Sequence, residues 1–211
     1  MFVPSGWGHQ VINLCNTISV NQNWANAYNA PSTIAYLNLS LKEVQLSIFD
    51  CKQLMQDPFE FESHCQMLLK CHAGINHIIW YQWFYWILTH ELSFMRKLLP
   101  DEYQQMCNLP PLDCSAAFQV LSCQQSASQT RTGPRYFHGC AFSVDIQRSR
   151  CFINLSALLK SITVLLNDEV IDGELLKYLM VTLQCDFHAL RDQLHNTLET
   201  ICPLLSLSEI N

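Results

Sequence analysis

Charge is scarce in this sequence. Of 211 residues only 14% are Asp, Glu, Lys or Arg, and 18 acidic residues outnumber 12 basic ones for a net charge of −6. A nucleic-acid or anionic-membrane surface needs a basic stripe, so neither partner is expected. Metal-type cysteine spacing is missing too, since 11 cysteines run from Cys15 to Cys202 without one CxxC pair. Unpaired thiols in odd number predict a reducing compartment, cytosol or nucleus. Met1-Phe2-Val3-Pro4-Ser5-Gly6 offers neither a basic n-region nor an apolar h-region, so no signal peptide is expected. The sequons Asn38-Leu39-Ser40 and Asn154-Leu155-Ser156 then carry no information. The greasiest run, Ile78 to Leu88, falls short of the ~20 apolar residues of a membrane span. A helix apolar all round belongs inside protein. No glycine-rich phosphate loop, GxSxG elbow, kinase motif or solenoid repeat occurs.

Hydrophobic residues, at 49%, are what the sequence has in plenty. That composition excludes a disordered chain. The length suits one good-sized domain or two small ones, at ~150 residues per domain. Folding should bury roughly 70% of the surface of the unfolded chain, so the core needs neither disulfide nor metal. Low charge leaves little protection for any surface that stays exposed, and predicts a molecule that lacks a covering part.

The chain has two textures. Residues 2–24 read as strands: Val11, Ile12 and Leu14 lead to a turn at Cys15-Asn16, and Thr17 to Trp24 alternates. Ile18, Val20 and Trp24 share one face of that second run, while Thr17, Ser19, Asn21 and Asn23 share the other. From Asn29 onward the texture is helical. Pro31 opens a helix to about Leu54. Asp57-Pro58-Phe59-Glu60 reads as a capped helix start, with Pro58 in the first turn and Glu60 closing a capping box. Gly74 ends that helix, Asn76 caps the aromatic one, and Pro100 bounds it. Asp113 starts a short helix to about Cys123. Gln124 to Arg135, rich in Ser, Thr, Gly and Pro, reads as a loop or insertion extending over 124–150. Helices are expected at Asn154–Leu166 and Gly173–Ile201.

The compact polar constellation is Pro4-Ser5-Gly6-Trp7-Gly8-His9-Gln10-Val11, followed by Asn13, Thr17, Asn21 and Asn23. Glycines beside a tryptophan allow a tight turn that delivers His9 to a strand start, where a neutral imidazole can bind a metal. Alone, one histidine makes no metal site. Two other groups compete with it. His64-Cys65 and Cys71-His72 pair seven apart, but the two pairs point in different directions, which disfavours tetrahedral zinc. Asp186 and His188, two apart on a helical pattern, do not face each other and read as surface.

The stretch Phe2 to Leu14 together with Thr17 to Trp24 resembles the last strands of the JmjC-domain oxygenases, which depend on iron and 2-oxoglutarate. Ser63-His64-Cys65-Gln66 and Cys71 to Asn76 resemble the helical C-terminal region of that family. The resemblance implies that His9 is the distal iron ligand and that Asn21 and Asn23 face the 2-oxoglutarate pocket. It implies a fold that is mainly α: residues 1–27 as the closing strands of a JmjC jelly-roll (a double-stranded β-helix), and 28–211 as a helical domain. It further implies a protein lysyl hydroxylase whose substrate is the translation release factor.

The iron ligands of such enzymes form a facial triad of two histidines and a carboxylate, the first two supplied in this family as His-x-Asp or His-x-Glu ahead of the distal histidine. Eight residues precede His9 and none can serve. Downstream, His64, His72, His77, His90, His138, His188 and His195 are followed two positions later by Gln66, Gly74, Ile79, Leu92, Cys140, Leu190 and Thr197. The chain therefore reads as the C-terminal part of an oxygenase, expected to hold no stable Fe(II) or 2-oxoglutarate and to be inactive alone. The rival expectation is a non-catalytic helical interaction or dimerisation module. An incomplete jelly-roll predicts that Ile18, Val20 and Trp24 lie against the helices, that His9 faces outward, and that unpaired strand edges promote self-association.

Overall fold

The computed structural model describes residues 8–19, 25–55, 57, 59–107 and 143–206. Among them the architecture is all helical: α1 (Ala30–Ser47), α2 (Glu60–Ala73), α3 (His77–Leu98), α4 (Val144–Asn167), α5 (Gly173–Leu183) and α6 (Phe187–Ser206). Short 3-10 turns at Phe49–Leu54 and Asp101–Cys107 come after α1 and α3.

Hydrophobic periodicity explains how these helices assemble. In α1, Ala30, Ile34, Leu37, Leu41 and Val44 recur three and four apart and are all buried. In α4 the buried series is Cys151, Leu155, Leu158, Ile162 and Leu165. Helix α4 is the hub: α1, α3 and α6 all pack on it, while α2 rests on α1 and α5 touches α2 and α3. By length and composition α4 is apolar enough to cross a membrane. Its buried stripe and its three helical neighbours account for that apolarity as core. At the far end of α3, Arg148 of α4 donates Nε–H to the Leu98 carbonyl at 2.8 Å, satisfying one of the carbonyls a helix end leaves open.

The local start and stop signals act largely as the sequence predicts. Asn76 Oδ1 accepts from the Ile79 N–H at 3.0 Å and caps α3. Gly74 closes α2 at φ 78, a left-handed conformation that favours glycine. Asp57 Oδ1 accepts from the Phe59 N–H at 2.7 Å, but α2 begins at Glu60, so the Asp57 turn precedes the helix instead of capping it.

Several expectations are corrected. The first helix ends at Ser47, where Ile48 leaves helical geometry and a 3-10 turn carries the chain to Leu54. Residues 144–150 are helical and not loop, because Ser143 Oγ accepts from the Ile146 N–H and starts α4 ten residues before Asn154. The single helix expected over Gly173–Ile201 is two. Gln184 turns left-handed at φ 49, and Asp186 Oδ1 then accepts from the His188 and Ala189 N–H groups at 3.0 and 3.1 Å, capping α6. The aromatic helix α3 is not buried all round: Trp80, Tyr81, Phe84 and Leu88 face inward, whereas Trp86 is 46% exposed.

The largest correction concerns the β segment. Residues 8–19 form no strand, and every one of them is exposed, Ile18 at 96%. Ile18 therefore does not lie against the helices. A strand needs a paired neighbour for its backbone and a surface for its oily face, and residues 8–19 pair with no strand among the described residues. Val20, Asn21, Asn23 and Trp24 lie outside the described residues, as do the expected helix from Asp113 to Cys123 and the loop through residue 142.

Candidate functional site

His9 sits in the exposed segment 8–19, and the described chain resumes at Ala25. Nearby, Thr17 Oγ1 donates to the Cys15 carbonyl at 2.9 Å, which marks the bend after Leu14. The residues that the resemblance places beside His9, Asn21 and Asn23, lie outside the described residues. Among the described residues, no three His, Cys, Asp or Glu side chains converge where a metal ion could be held. A facial triad needs three ligands in fixed geometry, and the described residues bring no such set together. The zinc candidates do not meet either: His64, Cys71 and His72 are exposed and Cys65 is buried. His64 Nδ1–H instead donates to the Glu60 carbonyl one turn back, at 2.9 Å.

None of the eight described cysteines, Cys15, Cys51, Cys65, Cys71, Cys107, Cys151, Cys185 and Cys202, is in a disulfide. Burial pushes the Cys65 thiol up to about 12, helped by the Glu62 carboxylate, and also raises Cys107 and Cys151. Thiols held in that state are neither nucleophiles nor ready metal ligands.

Polar chemistry does concentrate in one place, inside the bundle. His77, 1% exposed, opens α3 and is hydrogen-bonded from two other helices. Its Nε2 lies 2.9 Å from Asn38 Oδ1 of α1, and Asn38 Nδ2 donates to Asp168 Oδ2 at the end of α4, at 2.8 Å. Gln66 of α2 accepts from the His77 main-chain N–H through Oε1 at 3.1 Å and places Nε2 3.2 Å from His77 Nδ1. Asn76 Nδ2 donates to the Gln66 carbonyl at 3.2 Å. Asn38 Oδ1 can only accept, so the neutral imidazole carries its proton on Nε2 and leaves Nδ1 to the Gln66 amide, whose Oε1 also lies 3.3 Å from it. Burial drives the His77 pKa down to about 4, against a smaller opposing pull from Asp168. The sequence hides this cluster, because Asn38 occupies a buried stripe position and Asp168 lies 130 residues further on.

Two further carboxylates are buried. Glu91 Oε1 accepts from Asn154 Nδ2 at 3.0 Å, and the Cys151 thiol donates to the Glu91 carbonyl at 3.1 Å. Glu62, 1% exposed, has no hydrogen-bond partner at Oε2. Burial raises its pKa, the Asp172 carboxylate adds to this, Lys52 opposes it and Glu174 reinforces it. A carboxyl with a raised folded pKa favours folding at low pH, and that contribution is lost as pH rises through the folded value. Glu62→Gln stays neutral throughout. The variant is expected to be more stable than the parent chain at pH 7, with the difference closing as pH falls towards 4.5. Urea midpoints across that range measure it, and a variant no more stable at pH 7 contradicts it.

Over part of its length this chain is similar to oxygenases that use iron and 2-oxoglutarate. No protein-family profile and no solved structure matches it. It is 47% identical over 78 residues to the 2-oxoglutarate and iron-dependent oxygenase JMJD4 homolog of Drosophila melanogaster, covering 37% of this chain and 17% of that protein. It is 45% identical over 76 residues to JMJD4 of Mus musculus, covering 36% of this chain and 17% of the mouse protein. The arginine-specific demethylase JMJ20 of Arabidopsis thaliana is 45% identical over 76 residues, 36% of this chain and 16% of that enzyme. The JmjC resemblance, with JMJD4 proteins recurring among the relatives, is thus shown over part of the chain, which spans about a sixth of the length of these three.

Proposed function

We propose that this chain is the C-terminal portion of an Fe(II)- and 2-oxoglutarate-dependent protein hydroxylase. His9 supplies one iron ligand, Asn21 and Asn23 shape the cosubstrate pocket, and the helices form the body behind them. The observation that carries this reading is the 47% identity to an oxygenase of the JMJD4 type, over a segment that makes up only 17% of that protein. The names of the relatives give the cofactor pair, iron and 2-oxoglutarate. Lysine as the target, the translation release factor as the substrate protein, and a cytoplasmic or nuclear location complete the proposal. When bound, the iron and 2-oxoglutarate would supply oxygen activation. No His-x-Asp or His-x-Glu pair accompanies His9 in these 211 residues, and on that ground the proposal includes that the chain by itself is inactive.

The test has two arms. The purified chain is expected to retain no stoichiometric iron and to convert no 2-oxoglutarate to succinate. Stoichiometric iron lost on His9→Ala overturns the claim of inactivity. In a polypeptide that carries a His-x-Asp strand ahead of residue 1, His9→Ala is expected to abolish turnover, whereas Asn23→Ala raises the 2-oxoglutarate requirement. Unchanged kinetics in the Asn23 variant removes that residue from the pocket. The second reading, a non-catalytic module that binds a partner or another copy of itself, draws on the exposed Tyr36, Leu39 and Leu46 of α1. A concentration-dependent mass in solution, abolished by charged residues at Leu39 and Leu46, favours that reading.

A further inference from the structure

We propose that α1 is a homodimerisation helix, pairing in parallel with α1 of a second copy of this chain about a twofold axis that runs along it. The pairing rests on the reading of the chain as a module that binds another copy of itself, and adds the face and the direction of contact. On its inner side α1 buries Ala30, Ile34, Leu37, Leu41 and Val44 against its neighbours, chiefly α4 and α2. On its outer side Ala35, Tyr36, Leu39, Lys42, Glu43 and Leu46 are all exposed. The pattern repeats after seven residues, Ala35 answering to Lys42, Tyr36 to Glu43 and Leu39 to Leu46. That is the spacing by which one helix keeps a single face toward another. Leu39 and Leu46, 62% and 70% exposed, form the midline of the face. At ~100° per residue, Lys42 and Ala35 fall to one side of that line and Glu43 and Tyr36 to the other, with the two charges about 50° from it. Lys42 and Glu43 are the only charged residues of α1, and neither has an ion-pair partner among the described residues.

Charge selects both the occupant and its direction. The face complements itself, with a cation on one edge and an anion on the other at the next residue. In an antiparallel pair each edge would meet its own copy, Lys42 against Lys42 and Glu43 against Glu43. In a parallel pair unlike edges meet. Lys42 of each copy then lies beside Glu43 of the other, twice by symmetry. Ala35 likewise lies beside Tyr36, where the small side chain leaves room for the ring. Leu39 and Leu46 meet their own copies on the axis and lose their contact with water. The apolar midline supplies the attraction, and the edge charges set partner and orientation, as they do in other paired helices.

Sedimentation equilibrium of the full chain tests the pairing. The parent is expected to pass from the mass of one chain to that of two as concentration rises. Lys42→Glu puts a glutamate against Glu43 at both edges, and Glu43→Lys puts a lysine against Lys42. Each should weaken the dimer about tenfold at low salt. An equimolar mixture of the two variants should regain the parent's affinity, because every edge again joins unlike charges. The double exchange, Lys42→Glu with Glu43→Lys, should regain it too, and its recovery shows that the substituted helix still folds. A parent that stays monomeric overturns both the pairing and the reading it rests on. A dimeric parent whose single variants are equally tight leaves self-association standing and overturns the parallel pairing, since edges that join like charges still join like charges after one reversal. Single variants weakened without rescue, by mixing or by the double exchange, overturn it as well.

Discussion

Trp80→Ala is expected to cost about 3–5 kcal/mol of folding stability, the range for truncating a buried aromatic. Trp80 is 2% exposed and stacks on Phe84 with ring centroids 5.2 Å apart. It also borders Ala30 and Thr33 of α1, so its removal opens a void at a helix junction. The surrounding groups can fill that space only in part, and the lost transfer energy adds to the cost of the cavity. Trp86 makes the internal control. It lies on the same helix, is nearly half exposed, and stacks on His90 with centroids 5.6 Å apart. Trp86→Ala should therefore cost under about 1 kcal/mol, as surface substitutions do. Urea midpoints at constant slope measure both. Equal losses at the two positions would mean that the inward face of α3 has been assigned wrongly.

Asn38→Leu should destabilise the chain by about 2–4 kcal/mol even though leucine is similar in size and more apolar. The substitution leaves the His77 Nε2–H buried without an acceptor, at about 1–3 kcal/mol, and strips one partner from Asp168. Asp168 is half-buried, so solvent recovers part of that second loss. Replacing both partners tells orphaned groups from lost packing. Asn38→Leu with His77→Phe removes the unpaired donor, and apolar replacement of both members of a buried pair is often close to neutral. The double variant should thus be more stable than Asn38→Leu alone. A double variant as unstable as the sum of the single ones would show that the hydrogen bonds matter less than the shape of the site.

Much of the helical part was legible because its signals are local. The stripe Ile34, Leu37, Leu41, Val44 has a helical period, Asn76 and Gly74 carry start and stop chemistry, and each acts within one turn. Elsewhere a local signal was too weak to beat its surroundings. Gln184 is an ordinary helix former, and the break beside it is made by Asp186 capping α6 and by Phe187 turning into the core, 5.3 Å from the ring of Tyr81. The alternation from Thr17 to Trp24 is a strand pattern, but a strand is a pairing, and residues 8–19 lie exposed with no strand to pair with among the described residues.

For the site the division falls at chain distance. The sequence by itself determined the resemblance of the His9 segment to JmjC oxygenases, the lack of a His-x-Asp pair within these 211 residues, and the helical character of most of the described chain beyond Asn29, since all three are readable from neighbouring residues. Only the tertiary structure decided that Asn38, Gln66, His77 and Asp168 form one buried unit, because elements far apart in the chain bring them together. It alone decided that Glu62 is buried with an oxygen unmatched, and that Trp80 faces inward while Trp86 faces out. The physical reason is that burial and partnership are properties of a packed neighbourhood, and a polar residue on an apolar stripe announces neither until its neighbours are in place.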